Sequence, residues 1–216
     1  MKIKIWGDFA CPFCYMGENL LEKVLGEMPD GDKVEIDLEA YELDPKAPAK
    51  PVQTMTQHFM SEHNETEEEA EKQIEHIVKI ASRLGLVCNL KDAKVCSTLD
   101  AHRLIKYAKE HTDSATVMKL NLAIFNANFV DNKLLSDRAV LADLAESVGL
   151  DRAGVEAMFA SDQYIPLIRQ DEEELNAKKF DYIPYMLFDD DTVLQGVISV
   201  GALRKALSPL ESKQSM

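Results

Sequence analysis

The sequence predicts an α/β fold, a mixed sheet interrupted by a large α-helical insertion. Three observations point to it. The chain opens with a β-α-β pattern. A long, purely helical block follows. Strand character then returns only near the end, in a hairpin followed by one last helix. The expected division is a discontinuous sheet domain of residues 1–50 and 162–216, with the helical insertion at residues 51–161.

Each element has its own signal. Lys2-Ile3-Lys4-Ile5-Trp6 is short, apolar-rich and partly β-branched, so it reads as a strand. Gly17, Leu20, Leu21, Val24, Leu25 and Met28 then recur at helical spacing, and the helix ends between Gly26 and Pro29, before the turn residues Gly31-Asp32. Val34 to Ala40 alternates apolar and charged residues, as a half-buried strand does. The proline-rich run Asp44 to Pro51 leads out of it.

From about residue 53 the pattern is helical. Thr66 with Glu69 is a capping-box signature, followed by the stripe Ala70, Ile74, Ile77, Val78, Ala81, Leu84 and by Gly85 as the stop. Ser97 with Asp100 opens a further helix, to about Glu110. Residues 114–129 are apolar around most of their circumference, which marks a central, buried helix. Ser136 is the expected cap of a helix closed by Gly149, and Asp151 begins a shorter one. A helix over residues 162–178 ends at Lys178-Lys179, where cations suit the dipole. Tyr185 to Phe188 and Thr192 to Gly196 flank the turn Asp189-Asp190-Asp191 as a hairpin. Ser199 caps a last helix, expected to stop at Pro209.

With 216 residues, 46% of them hydrophobic, the chain can bury a substantial core. Its net charge of −14 argues against nucleic acid and anionic membranes as partners. No apolar run approaches the roughly 20 residues of a membrane span. The opening, from Met1 through Trp6, has neither the apolar core nor the cleavage site of a signal peptide, so a cytoplasmic protein is expected.

Four cysteines in a chain of this length do not form a disulfide scaffold. Cys11-Pro12-Phe13-Cys14 lies between the first strand and the first helix. Unpaired N–H groups and the positive end of the helix dipole favour a thiolate there. Cys11, at the helix tip, is the expected nucleophile, and Cys14, one turn in, the resolving thiol. Pro12 suits a helix's first turn, and Phe13 is an apolar spacer that can face a substrate. No second pair of cysteines or histidines has zinc-ligand spacing, so no metal is expected. Asp8 is expected to cap the turn before Cys11. His102 reads as an ordinary helical histidine, and Cys88 and Cys96 as two free, buried thiols.

Ile183-Pro184 directly precedes the hairpin. By itself it would be an ordinary proline at a strand entry. Together with Asp8-Phe9-Ala10-Cys11-Pro12-Phe13-Cys14-Tyr15-Met16-Gly17 and Ala101-His102-Arg103-Leu104, it resembles the DsbA-family thiol-disulfide oxidoreductases, in their FrnE-like branch. The resemblance spans nearly the whole chain. It implies a thioredoxin-like fold with a helical insertion, and a disulfide oxidoreductase or isomerase acting on protein or small-molecule disulfides. It further implies that Pro184 is a cis-proline facing the cysteine pair and that Ile183 offers backbone bonds to substrate. Tyr185-Met186 and Asp181-Tyr182 depart from the residues usual around that proline, so the substrate-facing surface is expected to differ. No cofactor is implied beyond the redox-active disulfide, with glutathione as a candidate reductant. The alternative is a glutathione-dependent transferase or isomerase of the kappa-class or 2-hydroxychromene-2-carboxylate isomerase type. Those proteins carry serine where Cys11 stands.

Overall fold

A computed structural model describes residues 1–212. In chain order the first elements are β1 (Lys2–Gly7), α1 (Pro12–Gly26), β2 (Glu35–Ala40), α2 (Met55–His63), α3 (Glu67–Arg83), α4 (Leu99–His111) and α5 (Ser114–Phe129). Then come α6 (Arg138–Ser147), α7 (Arg152–Phe159), α8 (Ile165–Ala177), β3 (Tyr185–Phe188), β4 (Val193–Gln195) and α9 (Val200–Ser212). The chain forms two compact units. Met1–Tyr41 and the segment from Leu167 onwards make the sheet unit, and Glu42–Pro166 make the helical unit.

The sheet has the order β2-β1-β3-β4. β1 is central, parallel to β2 with Ile5 opposite Leu38, and antiparallel to β3 with Ile5 opposite Met186. β4 closes the hairpin at the edge, with Leu194 opposite Met186. Alternation along β1 sends Ile3, Ile5 and Gly7 to one face and Lys4 and Trp6 to the other. Gly7 faces α1, because a Cβ there would lie 3.3 Å from Cys14 Sγ. On the opposite face the Trp6 indole Nε1–H donates to Asp171 O of α8 at 3.1 Å. The Trp6 ring meets Tyr185 edge-on at 5.8 Å, and Lys4 Nζ lies 4.9 Å from its centroid. The Asp171 carboxylate accepts the Ala40 N–H at 2.8 Å, tying α8 to the end of β2. Two helices therefore cover opposite faces of one mixed sheet, and α9 packs beside α1, where Arg204 pairs with Glu27.

In the helical unit α5 is central, as its all-round apolarity predicts: Val117, Leu120, Ile124, Phe125 and Phe129 are all buried. Thr66 and Glu69 form their capping box, and Gly85 has φ of +79° in the helix-stop position. Arg103 is almost wholly buried. Its Nε donates to Gln163 O at 2.8 Å, one terminal nitrogen binds Asp100 at 2.6 Å, and the other donates to the carbonyls of Met158 and Ser161. One guanidinium thus fastens the end of α7 and the turn leading to α8.

Several boundaries differ from the sequence expectation. The helix expected over 162–178 is Ile165–Ala177. α4 is preceded by Thr98 at its N-cap, and the Ser97 hydroxyl accepts the Leu99 N–H instead. Asp100 is drawn away from capping by Arg103 and by Arg138, 2.7 Å distant. The cap of α6 is Asp137 rather than Ser136; its carboxylate, a stronger acceptor than a hydroxyl, takes the Ala139 N–H at 2.9 Å. Pro209 does not end the last helix, which continues to Ser212. The Ser208 hydroxyl donates to Lys205 O at 2.8 Å, supplying the hydrogen bond that proline cannot.

Candidate active site

The first strand, a tight turn and the first helix deliver the cysteine pair. The Cys11 N–H donates to Asp8 O at 3.0 Å, and the Asp8 carboxylate accepts the Ala10 N–H at 3.2 Å. Asp8 therefore caps the turn, as expected. Cys11 is the N-cap residue of α1, with φ of −92° and ψ of 114°, and Pro12 fills the first helical position. The Cys11 side chain makes no capping bond to the helix N–H groups. Its thiol instead faces the carbonyl of Ile183, with Sγ 3.9 Å from the oxygen.

The Ile183–Pro184 peptide bond is cis. Gly17, one turn beyond Cys14, makes room for the proline: a Cβ at Gly17 would lie 3.1 Å from Pro184 Cγ and 3.6 Å from Met186 Cε. Tyr182 and Val197 are exposed beside this loop, and the Gly196 N–H donates to Pro184 O at 3.0 Å. The structure thus gathers Cys11, Cys14, Ile183 and Pro184 at one place, while Pro12 and Phe13 form the half-exposed first turn of the helix.

Cys11 is 5% exposed and Cys14 fully buried. Burial pushes the Cys14 thiol well above its ordinary range. The hydrogen bond and charge of Cys11 add to that, as does the charge of Glu18, while the Asp8 backbone N–H acts in the opposite direction. Such a thiol holds its proton more tightly than a free cysteine does.

Glu18 escaped the sequence reading. It lies four residues after Cys14 on the buried face of α1 and is 2% exposed. The signal was present: a carboxylate interrupts the apolar stripe one turn below the second cysteine. His102, Cys88 and Cys96 all belong to the helical unit, where each is buried. Burial pushes the Cys88 thiol up to about 11, the opposite of a reactive thiolate. Among the described residues no group of three or more His, Cys, Asp or Glu is gathered for a metal ion, and no helix is long and apolar enough to cross a membrane.

The family model described as DSBA-like thioredoxin domain matches residues 2–208. The crystal structure of a probable DsbA oxidoreductase from Streptomyces coelicolor superimposes with a TM-score of 0.87 at 29% identity, over 99% of this chain and 91% of that one. YwbO of Bacillus subtilis, itself uncharacterized, is 25% identical over 99% of both chains. The cytosolic disulfide reductase DsbM of Pseudomonas aeruginosa, determined with GSH, shares the fold at a TM-score of 0.66 and 16% identity, over 100% of each chain.

Proposed function

Because the chain belongs to the DSBA-like thioredoxin domain family, we propose that it is a thiol-disulfide oxidoreductase or isomerase in which Cys11 attacks and Cys14 resolves. The Cys11 thiolate attacks one sulfur of a substrate disulfide, forming a mixed disulfide and releasing one substrate thiolate. Cys14 then displaces the second substrate thiolate and closes the Cys11–Cys14 disulfide, so the substrate gains the two electrons that the dithiol loses. The reverse sequence donates a disulfide. The observation that carries this reading is the meeting of Cys11 Sγ with the Ile183 carbonyl ahead of Pro184, at the tip of a helix whose next turn holds a buried second thiol. A substrate backbone laid along Ile183 would present its sulfur at Cys11, and Phe13 would line the same approach.

The substrates in this reading are protein or small-molecule disulfides, with glutathione as the reductant. The Pseudomonas enzyme of the same fold, determined with GSH, is consistent with that. The FrnE-like branch is supported by the run from Asp8 to Gly17 and by Ala101-His102-Arg103-Leu104. A cytoplasmic location suits a chain of 216 residues whose four cysteines do not make a disulfide scaffold. The transferase or isomerase alternative is disfavoured by Cys11 itself, since those proteins bind glutathione through serine at that position.

The test is substitution. Cys11→Ser is expected to abolish disulfide reduction and isomerisation, whereas Cys14→Ser is expected to accumulate mixed disulfides visible by mass spectrometry. Full insulin-reductase and isomerase activity in Cys11→Ser would overturn the proposal. Glutathione conjugation by Cys11→Ser would transfer the protein to the alternative.

A further inference from the structure

We infer that Gln195 is a positioning residue that favours peptide disulfides over small ones, an inference that rests on the exchange reaction proposed above. Its side chain fixes the loop that offers Ile183 to a substrate backbone. Gln195 is the last residue of β4 and lies opposite Tyr185, the first residue of β3. From there its side chain reaches the segment that leads into β3. Gln195 Oε1 accepts the Asp181 N–H at 3.1 Å and the Tyr182 N–H at 3.3 Å. An amide oxygen has two lone pairs, so one side chain can satisfy both donors.

The next residue holds the same loop at its far end. The Gly196 N–H donates to Pro184 O at 3.0 Å. Gly196 has φ of +67°, and a Cβ there would lie 3.2 Å from Tyr182 Cβ. Glycine takes that conformation, at that distance, without strain. Two consecutive residues, at and just after the end of β4, therefore hold Asp181, Tyr182 and Pro184. They skip Ile183, whose carbonyl faces Cys11 Sγ at 3.9 Å.

Burial does not order the start of this loop. Tyr182 is 67% exposed, and Asp181 is exposed as well. Exposed side chains add little packing, so hydrogen bonds decide how well such a segment is ordered. The Gln195 amide is the side-chain part of that restraint, and it acts on the two residues directly before Ile183. A peptide laid along Ile183 binds best when the loop is already in place, because ordering it on binding would cost affinity. A small disulfide has no backbone to lay there and gains less.

The experiment is stopped flow on the reduced full chain, in a Cys88→Ala, Cys96→Ala background, with two disulfides supplied in excess. One is a pair of short peptides joined by a disulfide and carrying a fluorophore and a quencher, so that attack by Cys11 is seen as their separation. The other is a chromogenic nitrobenzoate disulfide. Gln195→Met keeps the length of the side chain and removes the acceptor. In this variant the half-saturating peptide concentration is expected to rise about 10-fold, at a limiting rate near the parent's. The small disulfide should lose less. Gln195→Glu, which retains acceptor oxygens, should bring the peptide value back to within about twofold of the parent. An unchanged half-saturating peptide concentration in Gln195→Met overturns the assignment. So do equal losses on both disulfides, or a Gln195→Glu as impaired as Gln195→Met. If Gln195→Met does not fold, amide hydrogen exchange of the parent decides. Protection of the Asp181 and Tyr182 N–H groups supports the clamp, and exchange at the rate of an unstructured chain overturns it. A parent that attacks neither disulfide would instead overturn the exchange reaction, and this inference with it.

Discussion

Arg103→Met removes a guanidinium that makes four hydrogen bonds inside the helical unit while keeping most of the side-chain volume. Met158 O would retain the Ser161 hydroxyl at 2.8 Å, and Asp100 would retain Arg138. Gln163 O and Ser161 O would lose the Arg103 donors. A stranded acceptor costs about 1–3 kcal/mol, and breaking a buried ion pair from one side about 3–5 kcal/mol. These two costs overlap here because Asp100 keeps a partner, so the expected loss is about 3–5 kcal/mol in all. At about 2–4 °C per kcal/mol for a chain of this size, the thermal midpoint should drop by roughly 10 °C. Arg103→Lys should recover little, since a point charge cannot reach three carbonyls at once. Urea unfolding should show a lower midpoint at unchanged slope. Attack by Cys11 should persist in the folded protein. A loss below about 1 kcal/mol, within the range of ordinary surface substitutions and small effects, would refute the view that Arg103 is what fastens the turn between α7 and α8.

Two further predictions concern stability. Trp6→Phe removes the indole donor to Asp171 O but keeps an aromatic ring against Tyr185, so it should cost about 1 kcal/mol by urea unfolding; no change would mean that this bond does not help hold α8 to the sheet. The second is a pH effect. The Cys88 thiol ionises near 9 in its ordinary state and at about 11 when folded. Between those values the folded chain holds a proton that the unfolded chain has lost, so stability falls as pH rises through that window and is unaffected below it. Cys88→Ala should flatten the alkaline decline of the reduced protein's urea midpoint, and an equally steep decline in the variant would show that Cys88 is not its source.

The sequence by itself determined the sheet and its interruption, because period-two and helical patterns are local properties of the chain. It also placed the cysteine pair at a strand-to-helix junction, since turn and helix-start chemistry is written in adjacent residues. Motif resemblance joined Pro184 to that pair across the length of the chain. What remained invisible depended on which side chains meet. Ser97 and Ser136 looked like caps, but competition among Asp100, Arg103 and Arg138, and the stronger acceptor Asp137, decided otherwise. Pro209 looked like a stop until Ser208 supplied the missing donor. Arg103 entered only as a letter in a motif, and its four partners lie as far as 60 residues away. Glu18 drew no reading from the sequence. Only the tertiary structure seats it under Gly7 beside Cys14, because burial and proximity are set by how β1 and α1 pack, and those two quantities decide what a carboxylate can do.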